Sequence, residues 1–169
     1  MTGEDPLVAT GSQTVGPFFH FGLTAAPNGR MIDRFPHSGE PIRVRVSVRD
    51  GDGEPVSDAM IELWQSGVFG RMPTSAEGWC DFETVRPDGP VSEGQAPHIN
   101  VCLFARGLLR PLHTRIYFPA ADVASDAVLA LVPERRRATL FAVADADDPA
   151  MWRFDIHLQG AGETVFFDV

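Results

Sequence analysis

Residues 42 to 50 read IRVRVSVRD. Ile42, Val44, Val46 and Val48 alternate with Arg43, Arg45, Ser47 and Arg49, a period of two that suits a strand with one buried face and does not suit a helix. Such a strand has to bury its apolar row against another layer. The rest of the chain supplies more strands. In residues 57 to 65 (SDAMIELWQ), Ile61 and Leu63 stand opposite Glu62 and Trp64. Residues 78 to 87, 96 to 107, 113 to 119 and 152 to 160 read as further strands, and ETVFFDV closes the chain. The 16 Gly and 14 Pro supply turns between short strands. One stretch, 124 to 143, carries helix formers in two halves divided by Pro133, a residue suited to a first helical turn. The pattern predicts an all-β fold, an antiparallel β-sandwich with a short helical insertion. Residues 1 to 23 are expected to form an N-terminal arm, extended through residue 20, and residues 24 to 169 a single sandwich domain.

Charge narrows the function. Lys plus Arg number 14 and Asp plus Glu 23, a formal net charge of −9. So acidic a chain is unsuited to sequence-independent nucleic-acid binding, and any anion site in it has to be built from local residues. No apolar run approaches the roughly 20 residues that span a bilayer. The opening MTGEDPLVATGSQTVGPFF lacks the basic and apolar regions of a signal peptide, so the chain is expected to be cytoplasmic, without membrane or nucleic-acid partners. Cys80 and Cys102 are expected as two reduced thiols in or near the core.

The chemistry converges on residues 96 to 107, APHINVCLFARG. In a strand, His98, Asn100 and Cys102 share one face. A His-x-His at this spacing offers two ligands to one metal; here Asn holds the second position. The five His residues form no His-x-His, His-Glu-x-x-His or Cys/His cluster. A two-His-one-carboxylate site from His98 and His113 with Asp81 or Asp155 stays open on the residues alone, against the plainer reading of hydrogen-bonded strand histidines. No Gly-x-Ser-x-Gly elbow occurs, and PERRR reads as a solvated helix face. Composition and spacing stop at a β-sandwich without an assignable active site.

Taken together and in order, SQTVGPFFH, DGDGEPVSDAMIELWQ, GWCDFETVRP, APHINVCLFARG, HTRIYF and QGAGETVFFD resemble the α chains of protocatechuate 3,4-dioxygenases, members of the intradiol ring-cleaving dioxygenases. The resemblance covers nearly the whole chain. It implies an antiparallel β-sandwich and a hetero-oligomer of α and β chains. It also implies a small aromatic substrate, protocatechuate, opened between its hydroxyls by O2 to 3-carboxy-cis,cis-muconate. In that family the β chain holds Fe(III) with two Tyr and two His, the His pair lying in a His-Ile-His at the place of His98-Ile99-Asn100. His98 matches the first His and Asn100 replaces the second. Val91 of Gly89-Pro90-Val91 stands where a Tyr ligand does, and the loop carrying the other Tyr is cut to 66 to 70. The single Tyr, Tyr117, matches a structural strand. The resemblance therefore implies no cofactor in this chain and Fe(III) in a partner β chain. The α residues that line the β-chain pocket match Thr14, Gly16, Pro17 and Arg106, with Arg106 suited to pair with the substrate carboxylate. Phe18 departs from the Tyr common in α chains, and the shortened loop bears on partner contact and substrate choice. Two alternatives stand beside this expectation: a non-enzymatic binding or interaction sandwich, and a self-sufficient iron oxygenase using His98 and His113.

Overall fold

The computed structural model describes residues 8–34, 39–65, 67–89, 94–120, 123 and 125–169, and within them the side chains of Pro17, Phe18, His20 and Arg34 lie outside the description. The alternating stretch forms β1 (Pro41–Arg49), with Ile42, Val44, Val46 and Val48 buried and the arginines on the outer face. The turn after it is set by the Asp50 carboxylate, which accepts from the backbone N–H groups of Asp52 and Glu54 at 3.0 and 2.9 Å.

Seven further strands follow: β2 (Met60–Gln65), β3 (Val68–Pro73), β4 (Trp79–Val85), β5 (His98–Phe104), β6 (Leu112–Tyr117), β7 (Val143–Ala144) and β8 (Met151–His157). They form two four-stranded sheets, ordered β4-β1-β8-β7 and β3-β2-β5-β6. The expected sandwich is observed. Its core lies between the inner rows of β1, β4 and β8 (Val44, Val46, Phe82, Phe154, Ile156) and those of β2, β5 and β6 (Ile61, Leu63, Ile99, Val101, Ile116). Burying these rows, at roughly 25 cal/mol per Å2 of apolar surface, is what holds the sheets together. One pairing departs from the antiparallel expectation: β1 and β8 run parallel, Val46 facing Phe154. Two strands so distant in sequence can be joined by a long crossover, which removes the hairpin constraint that enforces antiparallel order.

Two local expectations are corrected. Of residues 66 to 70, read as a loop, Val68 to Gly70 are strand. Gly67 turns at φ +84°, Gln65 pairs with Val68, and Phe69 and Gly70 already belong to β3. A tight hairpin thus replaces a connection read as a truncated loop; Ser66 itself lies outside the described residues. The arm is not extended through residue 20, because α1 (Pro17–Thr24) begins at Pro17, whose fixed φ suits a first helical position.

One side of the sandwich is stitched by residues 28–31. Asn28 exchanges two backbone hydrogen bonds with Arg71 of β3, and Glu83 of β4 donates to Gly29 O at 2.7 Å. One short segment therefore pairs with an edge of each sheet. Met31 follows and inserts fully into the core. The helical insertion resolves into α2 (Ala127–Leu131), α3 (Glu134–Arg137) and a 3-10 turn (Ala138–Leu140), with Pro133 preceding α3. It packs on the outer face of β5 and β6 through Val123, Leu129, Val132 and Leu140 around Tyr117. The ETVFFDV tail forms no strand and makes a single bridge, His113 to Phe167. Cys80 and Cys102 are buried free thiols, and burial pushes them up to about 12 and about 11.

Candidate functional site

Two places bear on function, and APHINVCLFARG links them. The first is the outer face of β5. Register sets His98 opposite Tyr117, Asn100 opposite Arg115 and Cys102 opposite His113. His98 is 1% exposed beneath the helical insertion, and its ring lies 5.6 Å from that of Tyr117. His98 Nδ1 sits 2.8 Å from Ala96 O. A carbonyl only accepts, so Nδ1 carries the proton. Burial holds His98 below the ordinary His value of 6.5, which keeps the ring neutral.

Tyr117 is fixed by a buried network. Its hydroxyl donates to Asp126 Oδ1 at 3.2 Å and accepts from Arg115 Nη1 at 3.2 Å. Asp126 also caps α2, accepting from Leu129 N at 2.6 Å, and accepts from Ala96 N at 2.8 Å. Burial pushes the Tyr117 phenol up, so it stays protonated and donates. A ferric ion needs anionic oxygen and imidazole. This face offers two imidazoles on offset rows, His98 and His113, an exposed amide at Asn100, a protonated phenol with a guanidinium beside it, and the Asp126 carboxylate, already occupied by three donors. Arg115 already supplies positive charge where a cation would sit, so the donor set does not fit the ion. Among the described residues, no three His, Cys, Asp or Glu side chains group as metal ligands. Val91 lies outside the described residues, and His98 and His113 stand on offset rows of the sheet, opposite Tyr117 and Cys102.

The second place is the far end of the same strand. β5 ends at Phe104, so strand parity does not extend to Arg106. Arg106 instead heads a turn completed by Gly107 at φ +88°, a conformation that favours glycine. Here the arm docks. Thr14 Oγ1 accepts from Gly107 N at 2.8 Å. Phe19 of α1 stacks on Phe104 with ring centroids 5.3 Å apart. Between them lies a cleft of about 190 Å3 lined by Val15, Gly16, Phe19, Phe21, Asp58, Met60, Phe104 and Arg106. Gly16 and Arg106 thus line one cleft, Thr14 bonds to the turn beside it, and Pro17 opens α1. Arg106 is 71% exposed and ion-paired to Asp58.

Sequence reasoning missed Asp58 and Asp126. Asp126 carried a signal, an Asp directly before the helix formers of α2, where an N-cap belongs. Asp58 carried none, because its role depends on which strand β2 pairs with.

No protein-family model matches the chain. The protocatechuate 3,4-dioxygenase alpha chain of Burkholderia cepacia is 42% identical over 195 residues, covering 96% of this chain and 98% of the relative. The beta chain from the same organism is 28% identical, covering 91% and 77%. Among solved structures, the dioxygenase domain of a dioxygenase carbohydrate-binding protein fusion from Streptomyces sp. SirexAA-E shares the fold, with a TM-score of 0.63, 23% identity, and coverage of 80% of this chain and 89% of that one. No helix among the described residues is long and apolar enough to cross a membrane. With an alpha-chain relative aligned along almost its entire length and the intradiol sandwich in place, the chain belongs to the protocatechuate 3,4-dioxygenase alpha-chain family of intradiol dioxygenases.

Proposed function

We propose that this chain is the α subunit of a protocatechuate 3,4-dioxygenase, forming one wall of a substrate pocket whose Fe(III) is held by a separate β chain. In this role residues 1–23 act as an arm and residues 24–169 as the sandwich, and the assembly works in the cytoplasm. The iron would supply the ring-opening chemistry with O2; this chain's residues would bind and orient the catechol. The likeness to both an alpha and a beta chain supports a paired assembly. The His98, Tyr117 and Arg115 arrangement supports placing the iron elsewhere.

The observation that carries the proposal is the junction of arm and strand end. Thr14 and Gly107 are far apart in sequence and joined by a hydrogen bond, which sets Gly16 and Arg106 on one cleft. The chain's own packing does not require glycine at 16. Its φ is −92°, and a Cβ built there meets no atom within 4 Å. Open space over a glycine suits close approach by a partner or substrate. Arg106 adds a local positive charge to a chain of net charge −9. A guanidinium pairs with a carboxylate through two parallel N–H bonds, and protocatechuate differs from catechol by that carboxylate.

The test is Arg106→Ala in the α/β enzyme. A charge-assisted hydrogen bond is worth about 1.5 to 3 kcal/mol. The solvent exposure of Arg106 argues for the lower end, so kcat/KM for protocatechuate should fall about tenfold, mostly through KM. Catechol should lose far less. Equal losses on both substrates would overturn the assignment of Arg106.

A further inference from the structure

The cleft contains one charged group that the proposed function leaves without a role. Asp58 lies two residues before β2, and Arg106 two residues after β5. The β2–β5 ladder ends at Met60 opposite Phe104. Both residues lie in turns just beyond that end of the ladder, and their side chains pair there. The contact is specific in its atoms: Asp58 Oδ2 accepts from Arg106 Nε. A guanidinium carries five N–H donors in a fixed plane. With Nε–H engaged by Asp58, the Nη donors have no acceptor among the described residues.

We infer that Asp58 is a positioning residue for substrate selection, holding Arg106 by its Nε edge so that the Nη pair faces an aromatic carboxylate. This rests on the proposed role of Arg106. Asp58 is the better anchored partner, its side chain 33% exposed against 71% for Arg106. Without the anchor, the long Arg side chain samples many rotamers, and binding a carboxylate has to overcome that freedom. The cleft's other walls, Phe19, Met60 and Phe104, are apolar and offer no substitute acceptor.

The experiment uses the assembled α/β enzyme, with 3,4-dihydroxybenzoate and catechol as probes. The readout is the ratio of their kcat/KM values, which a purely structural role would not move, because both substrates sample the same fold. Asp58→Ala should lower that ratio about threefold to tenfold in favour of catechol, through KM for the carboxylated substrate. Asp58→Asn keeps a carbonyl oxygen that accepts from Nε, so it should restore most of the ratio. In the double variant Asp58→Ala/Arg106→Ala, removing Asp58 should add nothing to the loss from Arg106→Ala alone. An unchanged ratio in Asp58→Ala, while Arg106→Ala lowers it, would overturn the role of Asp58 and leave that of Arg106 standing. An unchanged ratio in Arg106→Ala would overturn the role of Arg106 itself. If Asp58→Ala fails to assemble, Asp58→Asn decides: a ratio near the parent's supports an uncharged anchor, and a ratio as low as that of Arg106→Ala overturns it.

Discussion

Replacing Asp126 with Ala should be the most damaging single change on the outer face of the second sheet. Asp126 is 1% exposed, and its carboxylate accepts from Leu129 N at 2.6 Å, Ala96 N at 2.8 Å and the Tyr117 hydroxyl at 3.2 Å. Losing the α2 cap costs about 1 kcal/mol. Leaving the buried Ala96 N–H without a partner costs about 1 to 3 kcal/mol more. The buried Tyr117 O–H also loses its acceptor, because Arg115 only donates to it, so the two costs just given set a floor. The sum is about 2 to 4 kcal/mol, and at about 2 to 4 °C per kcal/mol for a domain of this size the melting temperature should fall by about 4 to 16 °C. Asp126→Asn keeps one acceptor but turns an amide NH2 toward a backbone N–H, so it should recover only part of the loss. Thermal unfolding of the purified chain, followed by circular dichroism, reads the change directly. A fall under about 2 °C for Asp126→Ala would refute the claim that this carboxylate organises the face.

The other predictions concern His98, two glycines and Arg106. Burial holds His98 below its ordinary value of 6.5. As pH falls through that value, the unfolded chain takes up a proton the folded one refuses, so stability should fall with pH below about 6.5, and His98→Asn should flatten that slope in urea titrations at several pH values. Gly70→Ala puts a Cβ 2.6 Å from Met31 Cγ and 2.9 Å from Asn28 O and should cost about 1 to 3 kcal/mol by overpacking. Gly16→Ala, which meets nothing within 4 Å, should leave the melting temperature of the chain alone unchanged and raise KM in the assembled enzyme. Arg106→Ala should shift substrate preference away from the carboxylated catechol, as described above.

The sandwich was legible wherever one face of a strand is buried and the other wet. IRVRVSVRD, the alternation around Ile99, Val101 and Leu103, and that around Trp152, Phe154 and Ile156 all lie on observed strands within three residues of their expected ends. β3 was not legible. VFGRMP has no alternation, it ends in Pro73, and its Gly70 reads as a breaker. That glycine is there for packing, because Met31 and Asn28 O lie where a side chain would go. The parallel pairing of β1 with β8 could not be read either, since period-two patterning says which face is buried and not which neighbour a strand takes.

The candidate site divided in the same way. Motif resemblance singled out Thr14, Gly16, Pro17 and Arg106; Gly16 and Arg106 line one cleft, and Thr14 bonds to Gly107 beside it. The strand that carries His98 and Asn100 ends at Phe104, and Arg106 reaches the cleft from a turn. Asp58 meets Arg106 beyond the paired ends of β2 and β5, a contact that depends on register and that no short stretch of sequence displays. Arg115 and Tyr117 stand two residues apart on β6, and their contact with Asp126 depends on where the helical insertion packs.

The central claim is that this chain shapes a pocket for iron held by its partner. Metal analysis of the chain purified alone and of its complex with a β chain tests it most directly. Iron should follow the β chain in proportion, with the red tyrosinate–iron colour present only in the complex. Stoichiometric iron in the chain purified alone would contradict the claim and favour the alternative of a self-sufficient iron oxygenase using His98 and His113.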